Sequence, residues 1–192
     1  MFLRGLVLLL VTVIATSCIG GPTSRVYVMS APIASEQTTT SQGSAPTLQV
    51  ETASLPAFLD NNDILVRRGP YALESSQTGH WGERLSLGIT HALAADLGRR
   101  LPGYTVGMGP PHAPGDRRLR VEVDSFDVYP DGHCVLSASW SVHQKSASGL
   151  PTVGHGLFAT PASAVAHADD EQLIRSMSTT VNQLADAIFR GL

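Results

Sequence analysis

The chain has 192 residues, with 13 basic and 16 acidic side chains and a net charge of −3. This length suits one domain with a sizeable core. The acidic balance argues against a nucleic-acid partner, whose phosphates call for a basic patch, and two cysteines are too few for a disulfide framework.

Arg4 is the one charge near the start. An apolar run follows from Leu6 to Val11, then Thr12, Val13 and Ile14, ending Ala15-Thr16-Ser17-Cys18 before Gly20-Gly21-Pro22. A basic start, a short apolar segment and small residues before a cut site describe a secretory signal peptide. A membrane span needs roughly 20 apolar residues and this run is about half that, so it addresses the chain without anchoring it. The small residues before the cysteine resemble the lipobox of bacterial lipoproteins, with Ala15 where Leu is commonest. That likeness implies a diacylglyceryl group on the Cys18 thiol, cleavage before Cys18 and acylation of the new amino group. The plain alternative is an ordinary signal peptide cut near Ala15-Thr16-Ser17, with Cys18 an incidental thiol. Several acyl chains on one residue would hold essentially permanently, at about 0.8 kcal/mol per buried CH₂. In many such lipoproteins an Asp after the cysteine retains them in the inner membrane. Ile19 stands there instead, which implies the periplasmic face of the outer membrane.

Without residues 1–17, 175 remain, with 12 basic against 16 acidic side chains. If Cys18 is acylated, Cys134 is the last thiol, so the exported domain is held by packing alone. Cys134 reads as a small buried hydrophobe. The expected organisation is a signal peptide over 1–17, a lipidated tether over 18–24 and one periplasmic domain over 25–192. The tether's six or so residues reach roughly 20 Å, which keeps the domain close to the membrane.

Arg25-Val26-Tyr27-Val28-Met29 alternates and is rich in β-formers, so it reads as a first strand. Residues 34–46 are small and polar and read as a flexible loop. Thr47 to Thr52 alternates as a second strand. Leu55 to Asp60, with Pro56 near its start, reads as one helical turn. Asp63 to Arg68 and Tyr71 to Ser75 flank a Gly69-Pro70 turn as third and fourth strands. The first long helix is expected to open at His80-Trp81-Gly82-Glu83, with Leu85, Ile89, Leu93 and Leu97 as its apolar stripe. Arg99 and Arg100 complement its C-terminal dipole, and Pro102-Gly103 stops it.

Tyr104 to Met108 is a short strand, and the Pro- and Gly-rich 109–116 a loop. Leu119, Val121 and Val123 then alternate with Arg118, Arg120, Glu122 and Asp124. The phase slips near Ser125 before Phe126 and Val128, which predicts a bulge. Tyr129-Pro130-Asp131-Gly132 is a hairpin turn, with positive φ expected at Asp131 and Gly132. The return strand places Cys134, Leu136, Ala138, Trp140 and Val142 on one face and Ser137, Ser139, Ser141 and His143 on the other. Thr152 to Ala159 is a last strand, with His155 at a strand edge or turn. Asp169-Asp170-Glu171 starts the second long helix, whose stripe is Leu173, Met177, Val181, Leu184 and Ile188. Eight short strands and two amphipathic helices predict an α+β sandwich: a mixed, largely antiparallel sheet with both helices on one face and a serine-rich open face.

No Gly-x-Ser-x-Gly elbow, P-loop or His-Glu-x-x-His occurs. The seven His, at 80, 91, 112, 133, 143, 155 and 167, lack the i,i+3 or i,i+4 spacing of a helical zinc site. The motifs therefore name no catalytic residue, no metal ligand and no cofactor beyond covalent lipid on Cys18. Trp81 and Trp140 read as packing residues.

Leu55-Pro56-x-Phe58-Leu59-Asp60, Ile64-x-Val66-Arg67 and Trp81-x-Glu83-x-Leu85 occur in that order. Val121-x-Val123-x-x-Phe126 and Gly132-x-x-Val135-Leu136-x-Ala138-x-Trp140 follow. This series resembles the PqiC/YmbA-type auxiliary lipoproteins of ABC-type transport systems over roughly residues 25–190. Gly82 departs from the family's usual Ala after Trp, which places it at the helix start, since Gly inside a helix costs about 1 kcal/mol. The resemblance implies a non-enzymatic outer-membrane partner of an MCE-domain protein and its permease, in a system moving lipids or other solutes between membranes. It brings no catalytic residues with it and leaves a homo-oligomer open. The second reading is a lipoprotein that stabilises another envelope assembly without an MCE partner.

Overall fold

The computed structural model describes residues 23–29, 45–109, 117–144, 150–163 and 167–192. The expected signal peptide, Cys18 and most of the expected tether lie outside them, as do nearly all of the residues 34–46 and most of 109–116 that read as loops. The described elements are β1 (Arg25–Tyr27), β2 (Thr47–Val50), β3 (Asp63–Arg67), β4 (Leu73–Trp81), α1 (Leu85–Arg100), β5 (Thr105–Met108), β6 (Arg117–Val128), β7 (Cys134–Gln144), β8 (Thr152–Ala159) and α2 (Asp170–Arg190).

All eight strands join one sheet, and β6 is its spine. One edge of β6 pairs antiparallel with β7 along nearly its whole length, and β7 pairs antiparallel with β8. The other edge of β6 is shared. β2 runs parallel to its first residues, from Leu48↔Arg117 to Val50↔Leu119. The bridge Ser54↔Glu122 holds its middle, and Val66↔Val128 brings β3 to its end. Beyond β2 lies β5, and beyond β3 lie β4 and then β1. The sheet is therefore mixed and forked: β6 is three times as long as β2, so one strand edge accommodates two shorter branches. The antiparallel pairings are the long ones, while β1, β2 and β3 add short parallel contacts.

The predicted bulge lies between Val123 and Ser125. Asp124 is the extra residue, so Val123 and Phe126 both point inward, opposite Ala138 and Leu136. Between β6 and β7, Gly132 takes φ +80° and its N–H donates to the Tyr129 carbonyl at 2.9 Å. Asp131 keeps a negative φ, unlike the expectation, because a turn closed at Gly132 needs only one left-handed residue.

Both apolar stripes are buried. Leu85, Ile89, Leu93 and Leu97 of α1 join Leu173, Met177, Val181, Leu184 and Ile188 of α2 over the inward side chains of β6 and β7. Trp81 is in this core. Trp140 lies across Gly154, where a Cβ would meet its ring at 2.4 Å, and its ring stands 6.3 Å from that of Phe158.

The start of α1 differs from the expectation. β4 runs on through Trp81, and the helix begins at Leu85. The polar stretch from Ser75 to His80 has little strand character of its own. Its ends are held by pairing, β3 with Ser75 and His80 and β1 with Gly79 and His80, and its middle by the bonds of Ser76 and Thr78 to Asp170. The helix cap also comes from elsewhere. Asp60 accepts from the Ser86 N–H at 3.1 Å and from Arg84 at 2.6 Å, and the Leu85 N–H donates to the Asn61 carbonyl. At α2 the cap is local: Asp169 and Gln172 form a reciprocal capping box. Asp170, one residue on, is buried and accepts from Ser76 Oγ and Thr78 Oγ1, each at 2.7 Å. That carboxylate ties α2 to β4.

Burial pulls the Asp60 carboxyl upward, but hydrogen bonds from the Ser86 side chain and backbone, then the Arg84 charge, outweigh it and hold it below 3.8. Its capping contribution is thus present above the ordinary carboxylate range and lost as pH falls through the lowered value. Asp60→Ala should cost about 1 kcal/mol near neutral pH in urea unfolding, with the gap to the parent narrowing in strong acid; a gap independent of pH would contradict the cap. Burial also pushes the Cys134 thiol up to about 12, with the Asp127 charge adding to it and the Thr180 hydroxyl opposing. At neutral pH about one molecule in 10⁵ then carries the thiolate. Maleimide should leave Cys134 unmodified in the native domain and label it on unfolding, as read by mass spectrometry.

Candidate docking surface

The face of β6, β7 and β8 turned away from the helices is open. β6 presents Arg118, Arg120, Glu122 and Asp124; β7 presents Ser137, Ser139, Ser141 and His143; β8 presents Val153, His155 and Leu157. Val153 and Leu157 are exposed. Glu51 bridges Arg118 and Arg120 at 3.0 and 3.1 Å, and Ser137 Oγ donates to Asp124 at 3.2 Å. A shallow depression of about 380 Å³ lies among Arg120, Glu122, Ser139, Ser141, Val153 and His155. Among the described residues β8 pairs only with β7, so no strand covers its outer edge, where the Ala159 carbonyl accepts from Gln183 Nε2 at 3.4 Å.

One row on this face brings an acid, a hydroxyl and an imidazole together. Glu122 faces Ser139, which faces His155. The order is wrong for nucleophilic catalysis, which needs the imidazole between the acid and the hydroxyl. Among the described residues no hydrogen bond joins the three. The β7 backbone is committed to ladders on both sides, which leaves no pair of N–H groups for an oxyanion.

The remaining histidines are dispersed. His80 bonds Ser24 Oγ at 3.0 Å, His91 pairs with Glu83 at 2.9 Å, and His133 stacks on Tyr129; His112 lies outside the described residues. Among the described residues no three His, Cys, Asp or Glu side chains come together as a ligand set. A second hollow, of about 550 Å³, lies between β4 and the start of α2. Its buried carboxylate, Asp170, is engaged by Ser76 and Thr78 on both oxygens. Among the described residues no helix is long and apolar enough to cross a membrane.

The serine face was readable from the alternation of β7. The row Glu122–Ser139–His155 was not, because register between strands leaves no local mark. The Gly154-His155-Gly156 alternation marks which β8 residues share a face, but not that this face is open.

Two curated relatives are the intermembrane transport lipoproteins PqiC of Escherichia coli (strain K12) and Shigella flexneri. Each is 27% identical over 140 residues, covering 71% of this chain and 74% of the relative. Two crystal structures share the fold. One is of an uncharacterized protein, with TM-score 0.67 and 18% identity over 88% of this chain and 97% of that one. The other is of a Xanthomonas campestris protein, with TM-score 0.59 and 15% identity over 88% and 90%. The family model for the ABC-type transport auxiliary lipoprotein component matches residues 27–189, and the chain belongs to that family.

Proposed function

We propose that this chain is a non-enzymatic lipoprotein on the periplasmic face of the outer membrane, held by acyl groups on Cys18, that docks the periplasmic apparatus of an MCE-containing ABC-type transport system. The observation that carries this reading is the position of two of the three outer strands of the forked sheet. β1, the strand nearest Cys18 in sequence, and β8 are the outermost members of the path β8-β7-β6-β3-β4-β1, while β5 ends the other branch. Five strand spacings separate them, roughly 24 Å. A domain tethered at β1 therefore holds its unpaired edge and open face away from its anchor, within reach of a partner in the periplasm.

The edge suits such a partner. Exposed edges without charges or proline recruit further strands, so isolated proteins usually block them. β8 carries neither: its open-face side chains are Val153, His155 and Leu157, with Gly154 and Gly156 between them. A partner strand added there would gain main-chain hydrogen bonds and two apolar contacts. Transport between membranes supplies the reason for such contact, because each CH₂ of a lipid exposed to water costs about 0.8 kcal/mol and a continuous conduit avoids that cost.

A gentle-detergent pull-down of the tagged native protein from membranes tests this. The expected result is recovery of an MCE protein or its permease. Recovery should fall about tenfold or more with Val153→Lys and Leu157→Lys together, as losing one to two kcal/mol of contact implies. It should also be lost when Cys18→Ser releases the domain. Recovery of unrelated envelope proteins, or of the chain alone at good yield, would move the function to another envelope assembly.

A further inference from the structure

The opposite end of the sheet carries its own unexplained feature. Val26 and Val28 are 62% and 58% exposed, although both are apolar and sit in or beside a strand. They lie side by side over Gly82, where a Cβ would meet Val26 Cγ1 at 3.0 Å and Val28 Cγ1 at 3.5 Å. The Gly82 N–H donates to the Tyr27 carbonyl at 2.8 Å, which fixes this stretch against the approach to α1. The first turn of α1 leaves Leu87 39% exposed, and the 55–62 loop that caps the same helix end leaves Phe58 54% exposed. Three segments distant in sequence thus present exposed apolar side chains around one helix end. Single exposed apolar residues are ordinary, whereas a group from several segments marks a contact. Arg84 is exposed at the same helix end, with its Nη2 held by Asp60 at 2.6 Å, while Arg25 is exposed on the Tyr27 side of β1.

Chain length says what lies within reach. Arg25 is seven residues from Cys18. Fully extended, that segment spans at most about 25 Å. If Cys18 is acylated, this helix end cannot move far from the bilayer surface, whatever the rest of the domain does.

We propose that Val26, Val28, Leu87 and Phe58 form the face by which the domain rests on the phospholipid surface. The apolar side chains enter the boundary between headgroups and acyl chains, and Arg84, held to Asp60 through Nη2, offers its other N–H groups to the phosphates. The inference rests on acylation of Cys18. It adds an orientation: the domain does not swing freely on its tether but stands on β1 and the start of α1, with β8 directed outward.

The test uses full-length acylated protein reconstituted into vesicles of phosphatidylethanolamine and phosphatidylglycerol. A nitroxide is placed at Val28→Cys, with Phe58→Cys as a second position from a separate segment and Leu157→Cys on β8 as the reference. Cys134 is buried and stays unlabelled. Spin relaxation by oxygen, which partitions into lipid, is compared with relaxation by a water-soluble nickel chelate. The expected result is a shift from nickel-favoured relaxation at Leu157 to oxygen-favoured relaxation at Val28 and Phe58. Nickel-favoured relaxation at all three, in protein that floats with the vesicles and carries the acyl mass, would overturn the resting face and leave the anchor standing. Spin–spin broadening at Val28 without a lipid signature would also overturn it, by making the patch an interface between copies. Protein lacking the acyl mass on Cys18 would overturn the anchor and the resting face together.

Discussion

A twelve-residue strand whose apolar residues alternate with polar ones on either side of one bulge can be stable only if one face is covered and the other is left to water. β6 imposes that division on everything around it. Leu119, Val121, Val123, Phe126 and Val128 are buried, and the bulge at Asp124 keeps the last two in phase with Leu136 and Cys134 across the ladder. If β6 ran through Asp124 as a regular strand with no bulge, its second half would turn Phe126 and Val128 toward solvent. Both helices then have one place to put their stripes. All shorter strands attach directly or indirectly to the edges of this hairpin, so the open face of the sheet is a consequence of the pattern in β6 and β7.

What the hairpin leaves undetermined is how the ends of the helices are held, and two carboxylates settle that. Asp60 caps α1 from a loop 26 residues away, and Asp170 engages Ser76 and Thr78, 94 and 92 residues away. The second arrangement also explains close packing around Gly79. A Cβ there would come within 2.6 Å of the Tyr27 ring and 2.7 Å of Asp170 Oδ2. β1, β4 and the start of α2 therefore meet at one point that tolerates no side chain. The strand nearest the proposed anchor is fastened to the core through that contact.

Periodicity made the long elements legible. The stripes of α1 and α2, the two faces of β7 and the bulge in β6 are all written in residues a few positions apart. The second half of β4 was not legible, because Ser75 to His80 alternates in nothing, and its strand form comes from β3 and β1 at its ends and from Asp170 at its middle. The parallel pairings of β1 and β2 were equally hidden, since three- and four-residue strands carry too little pattern to name a partner. The same holds at the surface. The serine face could be read from β7 alone, while the exposed group at the start of α1 draws Val26, Val28, Phe58 and Leu87 from segments that meet only when the chain is folded.

The proposed anchor and docking edge would give the molecule a polarity, with a lipid-facing end at β1 and the start of α1 and a protein-facing end at β8 and the open face. Site-specific photocrosslinking in living cells tests that polarity most directly. A photoreactive side chain at Ser139 or Leu157 should yield adducts with protein components of one transport system. The same group at Val28 should yield lipid adducts and no protein partner. Capture of a transport component at Val28, with none at Ser139 or Leu157, would contradict the account.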